Sequence, residues 1–364
     1  MRMMIVLSAI ALAAATAHSQ WTLENSNTTA SLRGIHSLGG GVAWASGTDG
    51  TVLRTEDGGF EWQTCSIPPG AEKLDFRGIQ AFDANTAIVM SSGKGDLSRL
   101  YKTTDGCHSW TLLRTNTDED GFWDALVFKN QDAGELVGDP VKGHFVVISN
   151  VGPGWFCECS DTFAPPAREG EAAFAASNSS VLSFGRRDFM LGTGGVHGSR
   201  VIFFDWQLAK GSNDQIVPVQ KARDVPIATG KESTGIFSLG MRDRQNIIAV
   251  GGDYLKPDES SGTAAFTIDG GKSWQAASTQ PHGYRSAVAY DAASKTWITV
   301  GSNGTDISTD DGKNWRAVKA NSALNEPADA DKNWNALSLP FVVGPHGRIG
   351  KLNEPALKAA LATK

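Results

Sequence analysis

Four copies of one short frame constrain this chain more than any other feature. "RTEDGGFEWQT" (Arg54 to Thr64), "KTTDGCHSWTL" (Lys102 to Leu112), "FTIDGGKSWQA" (Phe266 to Ala276) and "ISTDDGKNWRA" (Ile307 to Ala317) share the pattern Ser/Thr-x-Asp-x-Gly-x-x-Trp. Only Cys107 breaks the glycine position. Asp57, Asp105, Asp269 and Asp310 can accept backbone N–H bonds inside a tight turn, glycine permits positive φ, and Trp62, Trp110, Trp274 and Trp315 can pack over the turn. Each frame therefore predicts a turn between two strands, and its carboxylate has a structural use before it has a catalytic one.

The spacing extends the argument to the whole chain. Asp57 and Asp105 are 48 residues apart, Asp269 and Asp310 are 41 apart, and Asp105 and Asp269 are 164 apart. Two degenerate units should fill that gap. "FWDALVFKNQDAGELVGDPVKGHFVVIS" and "EAAFAASNSSVLSFGRRDFMLGTGGVHGSRVIFF" supply them. A last unit, "WNALSLPFVVGPHGRIGKLN", stops near Asn353 before reaching a frame of its own, whereas "QWTLE" at Gln20 to Glu24 matches the strand that follows each frame. The two fragments are halves of one unit. A period in the forties with four short strands per unit predicts an all-β fold, a single seven-bladed β-propeller over residues 20–353 whose last blade is closed by the N-terminal strand. Residues 354–364 are left as a C-terminal tail.

The four frames resemble the Asp-box (BNR) repeats of sialidases and other propellers. The chain after residue 20, with its "RGI" openings and a "GxxG" turn ahead of the first and last frames, resembles the secreted bacterial relatives of the photosystem II stability/assembly factor propellers. That resemblance implies the propeller fold and a binding or assembly-type role. Sialidases carry an arginine triad with a Tyr-Glu couple, usually on six blades; "FRGI" at Phe76 to Ile79 lacks the proline of their opening motif, and seven repeats argue against them.

Composition sets further bounds. Residues 1–19 carry one charge at Arg2, an apolar run and small residues at Ala15, Ala17 and Ser19, the pattern of a cleavable signal peptide, so a periplasmic or secreted location is expected. No later apolar run is long enough to cross a bilayer. A formal charge of -6 argues against nucleic-acid binding. No dinucleotide loop, haem attachment motif or metal-ligand spacing is present, so no cofactor and no metal are expected. Four cysteines, Cys65, Cys107, Cys157 and Cys159, allow three pairings in an exported chain. A bond between Cys157 and Cys159 would be strained in a regular strand, so pairings that use Cys65 and Cys107 are at least as good.

A propeller's innermost strands begin on one face, and the turns between second and third strands return to it. Reading those starts in order gives Arg33, Arg77, Trp123-Asp124, Glu171-Ala172, Thr234-Gly235, Arg285 and Trp334-Asn335. Asp49, Asp139, His197, Asp253-Tyr254, Asn303 and His346 join them from the turns. Arg33, Arg77 and Arg285 would gather on one side of the channel, opposite Asp124 and Glu171, with Tyr254 on the same face. Guanidinium forks suit a carboxylate, sulfate or phosphate. Two uses of this mouth follow. One is non-enzymatic, holding a protein, peptide or acidic ligand on a monomeric propeller. The other is a glycan-active hydrolase drawing on Asp124, Glu171, Asp139 or Asp253, since glycosidases need a carboxyl pair.

Overall fold

The computed structural model describes residues 20–150, 155–158, 164–184, 188–208, 216–320 and 327–362. The leader read in residues 1–19 lies outside them, as does Cys159. Seven antiparallel sheets are arranged as four-stranded blades, one of which is extended to six strands by two short segments at its inner edge. Blade 1 runs Leu32–Gly39, Val42–Gly47, Val52–Thr55 and Gln63–Thr64 from the centre outward. The innermost strands of blades 2 to 6 are Phe76–Ala81, Trp123–Asn130, Val181–Ser183, Thr234–Met241 and Ala287–Asp291. Blade 7 is composite. Ala336–Ser338, Phe341–Val343 and Ile349–Leu352 are completed by Trp21–Glu24, with Trp21 opposite Leu352 and Glu24 opposite Ile349. The ring closes as the half-repeats predict, with Trp21–Glu24 covering the edge of Ile349–Leu352.

Burial explains why each strand alternates as it does. Seven clusters of buried apolar residues each sit between neighbouring blades. Trp44 meets Phe76 and Tyr101 between blades 1 and 2, Phe145 meets Phe189 and Phe204 between blades 3 and 4, and Trp21 meets Trp334 between blades 6 and 7. Leu32, Trp62, Phe341 and Val343 fill the junction across the seam. Glycine recurs where the second strand ends because the backbone is tightest there: a Cβ on Gly47 or Gly301 would run into the carbonyl of Ser31 or Tyr284 ahead of the same blade's first strand.

The four frame turns share one hydrogen-bond pattern. Asp57 Oδ1 accepts the Thr55 hydroxyl at 2.8 Å and the Glu61 N–H at 3.1 Å, and the Gly59 N–H donates to Thr55 Oγ1 at 3.0 Å. Asp105, Asp269 and Asp310 repeat it with Thr103, Thr267 and Ser308. The tryptophans, however, do not simply cover their own turns. Trp62 lies edge-on to Phe341 of blade 7 at 5.4 Å, and Trp110 donates to the Ser66 carbonyl beyond blade 1, so these indoles wedge adjacent blades together. Cys107, standing where the other frames have glycine, takes φ 64° and is bonded to Cys65, which joins blade 2 to blade 1.

Residues 354–362 are more than a tail. Glu354–Ala362 is a helix whose Ala356 and Leu357 are buried, Leu357 within the cluster between blades 6 and 7. No helix among the described residues is long and apolar enough to cross a membrane.

Candidate functional site

Blade 4 departs from the repeat, and the departure builds the centre of the molecule. The unit beginning at Glu171 places its first strand ten residues late, at Val181–Ser183, while Glu171–Ala172 pairs with Gly194–Gly195 and Gly194 pairs in turn with Gly235 of blade 5. The intervening "AFAASNSS" turns into the channel. Its small side chains fit there, and its polar groups bond inner strands on several sides. Ala175 O accepts from Arg77 of blade 2 at 3.2 Å, and Asn178 Oδ1 accepts the Leu126 N–H of blade 3 at 2.8 Å. Ser179 O accepts the Leu239 N–H of blade 5 at 2.8 Å, and the Ser177 hydroxyl donates to Ser286 O beside blade 6 at 2.7 Å. Asn178 sits at φ 59°, a conformation that asparagine tolerates better than most side chains. Residues 175–179 therefore plug the channel and tie together blades 2, 3, 5 and 6.

Above the plug lies a pocket of about 520 Å³. Arg33, Arg77, Asp124, Asp139 and Tyr254 line it, together with Phe122, Phe174, Phe237, Tyr284 and the Ala172–Ala176 backbone. Phe174 stacks on Phe237 at 4.0 Å, and Tyr284 meets Phe237 edge-on at 4.8 Å, giving the pocket one aromatic wall. Arg77 Nε donates to Asp75 at 2.8 Å, whereas Arg33 Nε lies 3.9 Å from the same carboxylate without a hydrogen-bond partner. One carboxylate thus serves two guanidinium groups.

The acidic side of the pocket behaves differently. Asp124 is buried, and its Oδ2 has no hydrogen-bond partner. Burial pushes its carboxyl well above the ordinary carboxylate range, and the neighbouring Asp139 pushes the same way against Arg77. Burial raises Asp139 to about 6 even though it accepts the Ala173 N–H at 3.0 Å, the contact that anchors the start of the plug. Both carboxyls of the pair are therefore pushed upward by burial, Asp124 further through its neighbour Asp139.

Asp49, His197, Asn303, His346, Thr234 and Asn335, placed at the mouth by sequence, do not line this pocket, and neither do three of the candidate binding or catalytic residues. Arg285 is fully buried, and its Nε donates to Asp306 at 2.8 Å while its Nη1 donates to the Tyr284 carbonyl at 2.6 Å. Its fork points back into blade 6, so the three-arginine cluster reduces to two. Glu171 is buried against Arg200 at 2.6 Å and accepts the Thr193 hydroxyl, because the inserted plug displaced it from the head of an inner strand. Asp253 is bonded to Lys231 at 2.9 Å and to the Leu255 N–H. Sequence reasoning missed Asp75, Phe174, Phe237 and the plug. Asp75 stands two residues ahead of Arg77, and the run of small and polar residues from Ala175 to Ser180 was the available signal for a segment able to enter a channel. Among the described residues no group of three or more histidine, cysteine or acidic side chains is placed to hold a metal ion.

Comparison with known proteins adds the fold and little more. No family model and no curated protein matches the chain. Two solved structures align over nearly its whole length. One is described as "YCF48 bound to D1 peptide", with 15% identity, a TM-score of 0.59, and coverage of 95% of this chain and 99% of that one. The other is YCF48 from Cyanidioschyzon merolae, with 17% identity, a TM-score of 0.61, and coverage of 92% and 99%. Both agree with the resemblance carried by the repeats.

Proposed function

We propose that this propeller is a non-enzymatic binding or assembly protein that holds a carboxylate-bearing protein segment in the pocket above its plug. The observation that carries the reading is the shared carboxylate: Arg33 and Arg77 face a cavity and, among the described residues, share Asp75 as their one ion-pair partner. An incoming carboxylate would complete their hydrogen bonding in the bidentate geometry that guanidinium favours. The aromatic wall of Phe174, Phe237 and Tyr254 would take an adjoining apolar side chain. A neighbour of the same fold described with a bound peptide supports a peptide as the ligand class. An exported location is supported by the Cys65–Cys107 disulfide, since such bonds persist in oxidising compartments.

The test is a display library of short peptides selected on the protein, with the best binders resynthesised as free acids and as C-terminal amides. Arg33→Gln should abolish retention of acidic or free-acid peptides while leaving the melting temperature unchanged. Equal retention by wild type and Arg33→Gln would remove the arginines from the reading.

The hydrolase alternative retains one favourable observation, two neighbouring carboxyls in the pocket whose pKa values burial raises, Asp139 to about 6. Turnover of acidic or neutral glycans, lost in Asp124→Asn and Asp139→Asn, would establish it. No turnover alongside peptide binding would dismiss it.

A further inference from the structure

A second cavity lies on the flank of the ring and shares no residue with the pocket at the mouth. It occupies about 180 Å³ between blade 4 and the frame turn of blade 5. Strand register explains its walls. Met190 pairs with Phe203, Phe203 with Lys221, and Val201 with Arg223, so these five side chains share one face of the blade 4 sheet. That face is turned toward Gly270, Gly271 and Lys272 of the frame.

The other three frame junctions are closed by a bond from the preceding blade. Lys351 of blade 7 donates to the Gly58 carbonyl at 2.6 Å, Cys65 is joined to Cys107, and the Trp315 N–H donates to Thr279 O at 3.0 Å. At the fourth junction, among the described residues, no hydrogen bond from Val201, Phe203, Lys221 or Arg223 reaches the frame. Trp274 is half-buried there, and its indole N–H is buried without an acceptor, whereas those of Trp62, Trp110 and Trp315 each have one. The junction is apolar inside and cationic at its rim. No carboxylate among the described residues lies within 4.0 Å of Lys221, Arg223 or Lys272, in a chain whose formal charge is -6.

We propose that this gap binds a small hydrophobic carboxylate, its ring or short chain held among Met190, Val201 and Phe203 and its anionic group among Lys221, Arg223 and Lys272. An apolar cavity of about 150 Å³ accepts a benzene ring, so the space suits one ring rather than a long acyl chain. Charge complementarity selects an anion over a neutral ligand of the same shape. The site is independent of the pocket above the plug.

Phenylacetate is the probe, titrated into the intact protein with its methionine methyl groups labelled with carbon-13, and 2-phenylethanol is the neutral comparison. Phenylacetate should shift the Met190 methyl resonance saturably. Binding should weaken about tenfold for the alcohol and for the exposed triple variant Lys221→Gln/Arg223→Gln/Lys272→Gln, and it should weaken as salt is added. The methyl readout separates this site from the mouth, where a carboxylate would leave Met190 unmoved. The proposal is overturned if Met190 does not respond at concentrations up to about 10 mM, where a ligand of this size should bind. It is equally overturned if the alcohol or the triple variant matches phenylacetate on wild type.

Discussion

Replacing Trp21 with alanine should open the ring at its seam. Trp21 is 1% exposed; it lies 6.1 Å from Trp334 edge-on and donates its indole N–H to Thr305 Oγ1 at 3.0 Å. Truncating a buried tryptophan costs about 3–5 kcal/mol, and the cavity left between blades 6 and 7 cannot collapse easily because Leu357 and Trp334 are fixed by their own contacts. The lost hydrogen bond adds little, since the Thr305 hydroxyl still donates to Asp331 O at 2.9 Å. At about 2 °C per kcal/mol for a domain of this size, the melting temperature should fall by about 6–10 °C. Scanning calorimetry supplies the measurement, with urea unfolding followed by circular dichroism as an independent check. Leu23→Ala is the control: it lies on the same strand but is 40% exposed, and should cost below about 1 kcal/mol. A Trp21→Ala protein that melts within about 2 °C of wild type, or no lower than Leu23→Ala, would falsify the seam as a weight-carrying closure.

Three further outcomes follow from the centre and the frames. Asp139 has a folded pKa of about 6 against 3.8 for the free group, so its contribution to stability is complete below the lower value and is lost as pH rises through the upper one. Going from pH 7 to pH 5 should therefore stabilise wild type relative to Asp139→Asn by about 1 kcal/mol, read from paired thermal melts. Asn178→Gly keeps the left-handed backbone but strips the Leu126 N–H of its acceptor, which should cost about 1–3 kcal/mol in urea unfolding; Asn178→Ala should cost about 1 kcal/mol more through its φ of 59°. Removing the 42-residue crosslink should cost about 2–5 kcal/mol in thermal melts, and Cys65→Ser/Cys107→Gly should melt above Cys65→Ser/Cys107→Ser because glycine is at ease at φ 64°.

The blade count was legible because it depended on spacing. Asp57, Asp105, Asp269 and Asp310 fixed the period, and the matching halves at Gln20 and Asn353 fixed the closure. The mouth was legible only where the repeat held its register. Arg33, Arg77, Asp124 and Asp139 sit where regular blades place them, and they share the pocket. Glu171 failed because the insertion after it has no counterpart in the other units, so aligning the unit's start did not align its strand. Arg285 failed for a different reason. Its position at the strand start is as expected, but the direction of a side chain depends on its partner, and Asp306, 21 residues on, captures it. Pairings across that distance leave no periodic trace.

The plug also changes what symmetry means for this ring. Seven similar blades around an open axis would offer a ligand seven nearly equivalent approaches. A segment that emerges ahead of blade 4 and bonds to blades 2, 3, 5 and 6 removes that equivalence at the axis, where the blades converge. The axis is crossed by residues 175–179, whose hydrogen bonds to the inner strands make its surroundings differ from blade to blade. On the binding role proposed above, recognition at the mouth would be directional: the guanidinium groups of Arg33 and Arg77 stand on blades 1 and 2 and Phe237 and Tyr254 on blade 5, so a rotated ligand would meet different chemistry.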